Sequence, residues 1–178
     1  MCPPDATLTY QNRDSKPVSI DFYQMYIVPY QAILVKICRA YTQGQADFED
    51  YYQEVCLQLW KSRESFQERS QWSTWVYRVT LNVCLSLQRR AQREPHTASL
   101  LPEDVATNSY AFQNEELEWL YAAIRQLKEV DRALILLHLE EKSHAEIAEI
   151  LGTNANNVGV RLLRIKERLK KMLDGKVN

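Results

Sequence analysis

The chain has 178 residues, of which 46% are hydrophobic and only 4 are glycine, and its formal net charge is −1. This length accommodates one ordinary domain or two small ones, and this apolar fraction excludes disorder over most of the chain. No run of about twenty apolar residues occurs, and the opening MCPPDATLTYQNRDSK lacks the basic stretch and apolar core of a signal peptide, so membrane insertion is excluded and a cytoplasmic protein is expected.

Residues 1–20 carry few apolar positions and read as a loose tail. From Phe22 to Tyr41, the residues Tyr26, Tyr30, Ile33, Leu34, Ile37 and Tyr41 recur at helical spacing. Pro29 either starts the main helix or kinks it, and Gly44 marks its stop. A second helix is predicted from Asp47, as N-cap, to about Lys61, with Phe48, Tyr52, Val55 and Leu59 as its inner stripe. Ser62 to Ser70 is polar and reads as a loop. The third helix, Gln71 to Gln92, places Trp72, Trp75, Val76, Val79, Val83 and Leu87 on one face and Arg78, Asn82, Ser86 and Arg89 on another.

Periodicity then stops. Glu94 to Asn114 holds Pro95, Pro102 and several Ser, Thr and Asn residues, too long a loop for the inside of a compact domain. A flexible linker over 94–113 therefore separates a domain over 21–93 from one over 114–175. In the second domain Leu117, Leu120, Tyr121, Ile124 and Leu127 mark one helix, and Ala133, Leu134, Leu137 and His138 another. Ser143-His144-Ala145-Glu146 is a capping box opening a short helix to Leu151, and Gly152 suits its left-handed C-terminal position. Asn154 caps a last helix with Val158, Leu162, Ile165, Leu169 and Met172 inward. The fold class is all-α: two small helical domains, the second containing a helix-turn-helix. Such domains are expected to share little obligatory interface and to orient loosely.

The near-zero charge conceals segregation. Acidic residues crowd Asp47 to Glu54 and Glu103 to Glu118; basic ones crowd Arg78 to Arg93 and Arg161 to Lys171. This suits a chain that meets a protein with one surface and nucleic acid with others. On the last helix Asn156, Asn157, Val160, Arg161 and Arg164 point outward, where asparagines can reach base edges and arginines can take guanine or phosphate; Lys166 extends the positive field. Cys2, Cys38, Cys56 and Cys84 lack paired metal-ligand spacing and read as small apolar residues. No metal, cofactor or catalytic constellation is expected: His96, His138 and His144 have no partner motif, and no glycine-rich phosphate loop occurs.

The order of these segments resembles the extracytoplasmic-function (ECF) sigma factors of bacterial RNA polymerase. Asp47 to Val55, followed by Leu59-Trp60, is similar to the helix with which that family docks on the largest polymerase subunit. Trp72 to Val79, leading into Asn82 and Arg89-Arg90, resembles its minus-ten promoter helix. Leu127 to Arg132, then Glu146-Ile147-Ala148 through Gly152 and the helix bearing Arg161 and Arg164, resembles its minus-thirty-five domain. The resemblance implies core polymerase (largest and second-largest subunits) and promoter DNA as partners, with an anti-sigma factor as a further one. It implies polymerase-binding roles for Asp47, Glu49, Asp50, Gln53, Glu54 and Leu57. Ser65, Phe66, Arg78, Asn82, Ser86, Arg89 and Arg90 would face the minus-ten element, and Asn156, Asn157, Val160, Arg161, Arg164 and Lys166 the minus-thirty-five element. The chain departs from the family pattern at Phe48, Ser86 and Gly159, where alanine, aspartate and lysine are common. The competing reading is a helix-turn-helix regulator that binds an operator as a dimer.

Overall fold

Pro29 decides how the chain enters its first regular helix. It sits in a 3₁₀ turn, Val28–Tyr30, that follows a π-type turn over Tyr23–Ile27 and leads into α1, Gln31–Tyr41. Its fixed φ and missing N–H are harmless at a helix start, so it starts the helix rather than kinking it. The computed structural model describes residues 22–66, 70–93 and 115–174, without the side chains of Glu115 and Glu116. The tail over 1–20 and the linker over 94–113 lie outside the described residues.

Thr42 ends α1 in extended conformation, its hydroxyl donating to the Cys38 carbonyl at 3.0 Å. Gly44 is therefore not a stop; it is the N-cap residue of α2, Gln45–Ser62. Asp47 is not the N-cap but lies in the first turn, where a carboxylate still meets the positive end of the helix dipole. Phe48, Val55 and Leu59 are buried as the periodicity predicts. A 3₁₀ turn, Arg63–Ser65, follows within the expected loop.

The helix α3, Trp72–Arg93, is rotated from its predicted setting. Its buried face is Thr74, Val76, Tyr77, Thr80, Leu81 and Cys84, whereas Trp72, Trp75, Val79, Val83 and Leu87 are half-buried. The reason is that α3 packs on two sides, against α1 and α2 and also against the C-terminal half. Thr80 can be fully buried because its hydroxyl donates to the Val76 carbonyl at 2.8 Å.

The second half comprises α4 (Glu115–Arg125), α5 (Glu129–Leu139), α6 (His144–Leu151) and α7 (Ala155–Asp174). Both arms of the capping box form: the Glu146 amide donates to Ser143 Oγ at 3.2 Å, and the Ser143 amide donates to Glu146 Oε2 at 2.8 Å. Gly152 has φ of 67°, the left-handed region in which a Cβ is strained. The Asn157 amide donates to Asn154 Oδ1 at 2.8 Å, completing the second cap. Val158, Leu162, Ile165 and Leu169 face inward against α4, α5 and α6. Each fully buried Leu, Ile or Val here contributes about 1.5–3 kcal/mol relative to exposure.

The two halves do not lie apart, as their separate periodicities predict. The helix α1 packs on α4 and α5, and α3 packs on α6. Arginines dominate this seam. Arg39, only 4% exposed, donates through Nε to Glu118 Oε1 at 3.0 Å and through Nη2 to the same oxygen, and its guanidinium covers the Tyr121 ring at 4.5 Å. Arg125 Nη1 donates to the carbonyls of Arg39 (3.3 Å) and Thr42 (3.2 Å), capping the open end of α1. Arg132, 5% exposed, lies over the Tyr41 ring and donates to the Arg125 carbonyl at 2.6 Å and to Gln88 Oε1 at 3.4 Å. Lys36 and Glu140 pair at 2.6 Å at the rim.

Candidate protein and nucleic-acid interfaces

The acidic face is formed by one helix. Asp47, Glu49, Asp50, Gln53 and Leu57 are exposed on α2 and Glu54 is half-buried, so the fold gathers all six predicted polymerase-binding residues. Gln45 Nε2 donates to Glu49 Oε1 at 2.7 Å. Asp50, Gln53, Glu54 and Leu57 line one wall of a groove of about 480 Å³, with Tyr51 beside them and Leu87, Arg90 and Ala91 of α3 opposite. Arg90, predicted for DNA, thus stands across from the acidic face. Burial pushes the Tyr51 phenol up to about 12, so it stays neutral and offers a hydroxyl donor there.

The predicted minus-ten residues fall into two places. Ser65 and Phe66 follow α2, and Phe66 sits edge-on to Trp72 (4.9 Å between centroids) and Trp75 (5.7 Å). Those tryptophans lie tilted against each other with centroids 4.6 Å apart and join Phe22 and Tyr26 in an aromatic cluster, with Trp72 Nε1 donating to the Tyr26 carbonyl at 3.3 Å. Trp72 and Trp75, both half-buried, are therefore packing residues. Arg78, Asn82, Ser86 and Arg89 run along one stripe of α3. Asn82 and Ser86 are exposed. Arg78 donates to the Glu149 carbonyl of α6, and Arg89 pairs with Glu129 at 2.7 Å. The hydrogen bond to Glu129 raises the Arg89 pKa further.

On the helix-turn-helix, Asn156, Asn157, Val160, Arg164 and Lys166 are exposed along α7. The Asn157 amide group donates to Thr153 Oγ1 at 3.1 Å and so leans toward the turn. Arg161 is less free than its outward position predicts. Its Nε and Nη2 donate to Asp131 Oδ1 at 3.0 and 2.6 Å, tying α7 to α5. Gly159 lies under the His144 ring, 3.4 Å from where a Cβ would stand. His138, near Lys166 and His144, is shifted down by burial and by those neighbours.

Sequence periodicity missed the seam residues Arg39, Glu118, Arg125 and Arg132. The available signal was local: Arg39 interrupts the apolar run Ile37-Cys38-Ala40-Tyr41, and Arg132 opens Ala133 to Leu137. An arginine inside a buried stripe requires a partner from elsewhere. Cys38 and Cys84 are both fully buried with sulfurs 4.0 Å apart, in keeping with an apolar role; Cys56 is half-buried, with its thiol pushed up to about 11 by burial, and Cys2 lies outside the described residues. Among the described residues no group of His, Cys, Asp and Glu could hold a metal ion, and no helix is long and apolar enough to cross a membrane.

Two family models divide the chain where its elements divide. Sigma-70 region 2 matches residues 27–94, covering α1 to α3, and Sigma-70 region 4 matches 117–169, covering α4 to α7. The chain belongs to the ECF sigma factor family. It is 27% identical to the ECF sigma factor SigG of Mycobacterium tuberculosis over 83% of its own length, and spans about half (48%) of that longer relative. It is 25% identical to the ECF sigma-E factor of Haemophilus influenzae, covering 83% of this chain and 85% of that one. Among solved structures, RpoE of Bartonella quintana, crystallised with the anti-sigma factor NepR, superposes with a TM-score of 0.67 at 22% identity, over 86% of this chain and 97% of that one. CnrH, in complex with the cytosolic domain of CnrY, gives 0.65 at 22% identity, over 88% and 90%. These two likenesses establish the shared fold. The pairing of both regions in one chain does not favour the operator-binding dimer.

Proposed function

We propose that this chain is a cytoplasmic transcription initiation factor that binds core RNA polymerase, directs it to promoters and helps open them, without catalysing a covalent step itself. The observation that carries this reading is the coexistence, in family order, of the exposed acidic face of α2 and a fully capped helix-turn-helix. The face Asp47, Glu49, Asp50, Gln53, Glu54 and Leu57 would meet the polymerase largest subunit. Asn82, Ser86 and the Ser65–Phe66 turn would meet the minus-ten element. Asn156, Val160, Arg164 and Lys166, with Arg161 once it leaves Asp131, would meet the minus-thirty-five duplex. RpoE of Bartonella quintana, which shares this fold, was crystallised with the anti-sigma factor NepR, which supports a partner of that kind here.

The test is assembly followed by footprinting. Reversing charge at Asp50 and Glu54 should weaken holoenzyme formation by about tenfold or more while far-UV helicity is retained, since exposed charges steer association but add little stability. Asn82→Ala should reduce permanganate reactivity of the opened promoter and leave upstream duplex protection intact; Arg164→Ala should do the reverse. Normal polymerase binding by the folded charge-reversal variant would remove the assignment of α2.

A further inference from the structure

We infer that α7 reads part of its DNA element by apolar contact, with Val160 and Leu163 taking the C5-methyl groups of thymines in the major groove; this rests on the DNA-binding role proposed above for α7. Leu163 is thereby a specificity-determining residue beside Val160. The two side chains are 54% and 62% exposed. They stand three residues apart, neighbours on the helix surface, and point away from the buried stripe Val158, Leu162, Ile165 and Leu169. Asn156, one turn before Val160, and Arg164, one turn after it, are exposed on the same face.

Single exposed aliphatics are ordinary on a protein surface. This pair differs in its surroundings. Polar side chains beside it are turned to other tasks: Asn157 donates to Thr153, Arg161 is held by Asp131, and Arg168 reaches the Gln126 carbonyl at 3.5 Å. Gly159, next to Val160, adds no side chain between the pair and a base edge. Lys166, Lys170 and Lys171 are exposed further along α7, and their positive field suits a nucleic acid rather than an apolar protein partner. The acidic Glu167 also lies further along, past the N-terminal part that such a helix places against bases. In the major groove thymine presents a methyl group, and the adenine opposite it offers N6 and N7 to an asparagine. Asn156 suits that adenine, so the apolar and the polar readers of this face both favour A·T pairs.

Removing single methyl groups from the DNA tests this directly. Duplexes of random sequence are selected on the chain assembled with core polymerase. Each thymine of the enriched upstream element is then replaced singly by uracil, which keeps the base pairing and lacks only the methyl. One or two of these replacements should weaken binding about fourfold, the worth of one methyl withdrawn from water. Val160→Ser and Leu163→Gln change exposed side chains, so far-UV helicity should be retained. Each variant should weaken binding to the thymine duplex by at least as much and cancel the effect of uracil at its own thymine, as contacting partners do in a double-mutant cycle. Unchanged affinity for every uracil duplex would overturn the inference. So would variants that lose affinity equally for thymine and uracil duplexes, which would mark the pair as a contact with polymerase or with a second copy of the chain. Failure to bind core polymerase would instead count against the proposed function. The same selection and uracil series with the chain alone at low salt would then judge α7, and enrichment of no duplex there would overturn this inference as well.

Discussion

The helix-turn-helix is held by bonds that span a few residues, and the seam by bonds that span tens. Ser143 and Glu146 close their box across three positions, and Asn154 reaches Asn157 across three more. Arg39 and Glu118 are 79 positions apart, and Lys36 and Glu140 are 104. The local bonds are formed as soon as the helix forms and cost little further ordering. The distant ones require two halves to be placed first, and they repay that ordering only together. Side chains of similar chemistry thus specify a motif in one region and an assembly in the other.

Arg39→Ala should produce the largest break in this comparison. It takes from Glu118 the closer of its two arginine partners and uncovers Tyr121, and should lower stability by about 3 kcal/mol, read from the midpoint of urea unfolding. The accompanying loss of amide protection should fall on α1 and α4 and spare the caps of α6 and α7. Ser143→Ala should cost less, about 1 kcal/mol, because it removes one cap. Its effect should appear in hydrogen exchange at the start of α6 and leave the seam's protection unchanged.

The smallest effect is set by pH. Hydrogen bonds from the Ser143 hydroxyl and amide hold the Glu146 carboxyl below the usual range. A carboxylate depressed in the folded state contributes fully above its unfolded pKa of about 4.3 and loses that contribution as pH falls through the folded value. Stability of the helix-turn-helix should therefore decline on acidification below that point. Glu146→Gln should flatten this part of the profile; an unchanged acid limb would show that the box contributes nothing measurable.

How much of the molecule was legible follows the same division. The capping box, the left-handed Gly152, the Asn154 cap and the inward stripe of α7 were readable because each signal sits within one turn of its target. The acidic face of α2 was readable for the same reason. The setting of α3 was not. Its most apolar stripe is only half-buried, because α3 packs against α6 as well as α1, where Cys84 meets Cys38, and no periodicity of α3 alone contains those neighbours. Arg161 illustrates the point at the candidate site: its place on the outer face of α7 was visible, but its bond to Asp131 depends on how α5 crosses. Gly44 and Asp47 were misassigned by one helical turn, since glycine and aspartate are both at home at a helix start.

The aromatic cluster gives the protein an optical signature divided between its halves. Trp60, Trp72 and Trp75 all belong to the N-terminal half, with Phe22 edge-on to Trp60 and Trp72. Trp119, the fourth tryptophan, stands 45% exposed on α4. Near-ultraviolet circular dichroism depends on rings fixed in an asymmetric setting, and is lost when packing loosens even if helices persist. Its signal here therefore comes almost wholly from the ring stack beside α3, while the far-ultraviolet signal counts helices from end to end. A temperature at which the first has faded and the second has not would mark the N-terminal half as the one whose interior gives way first.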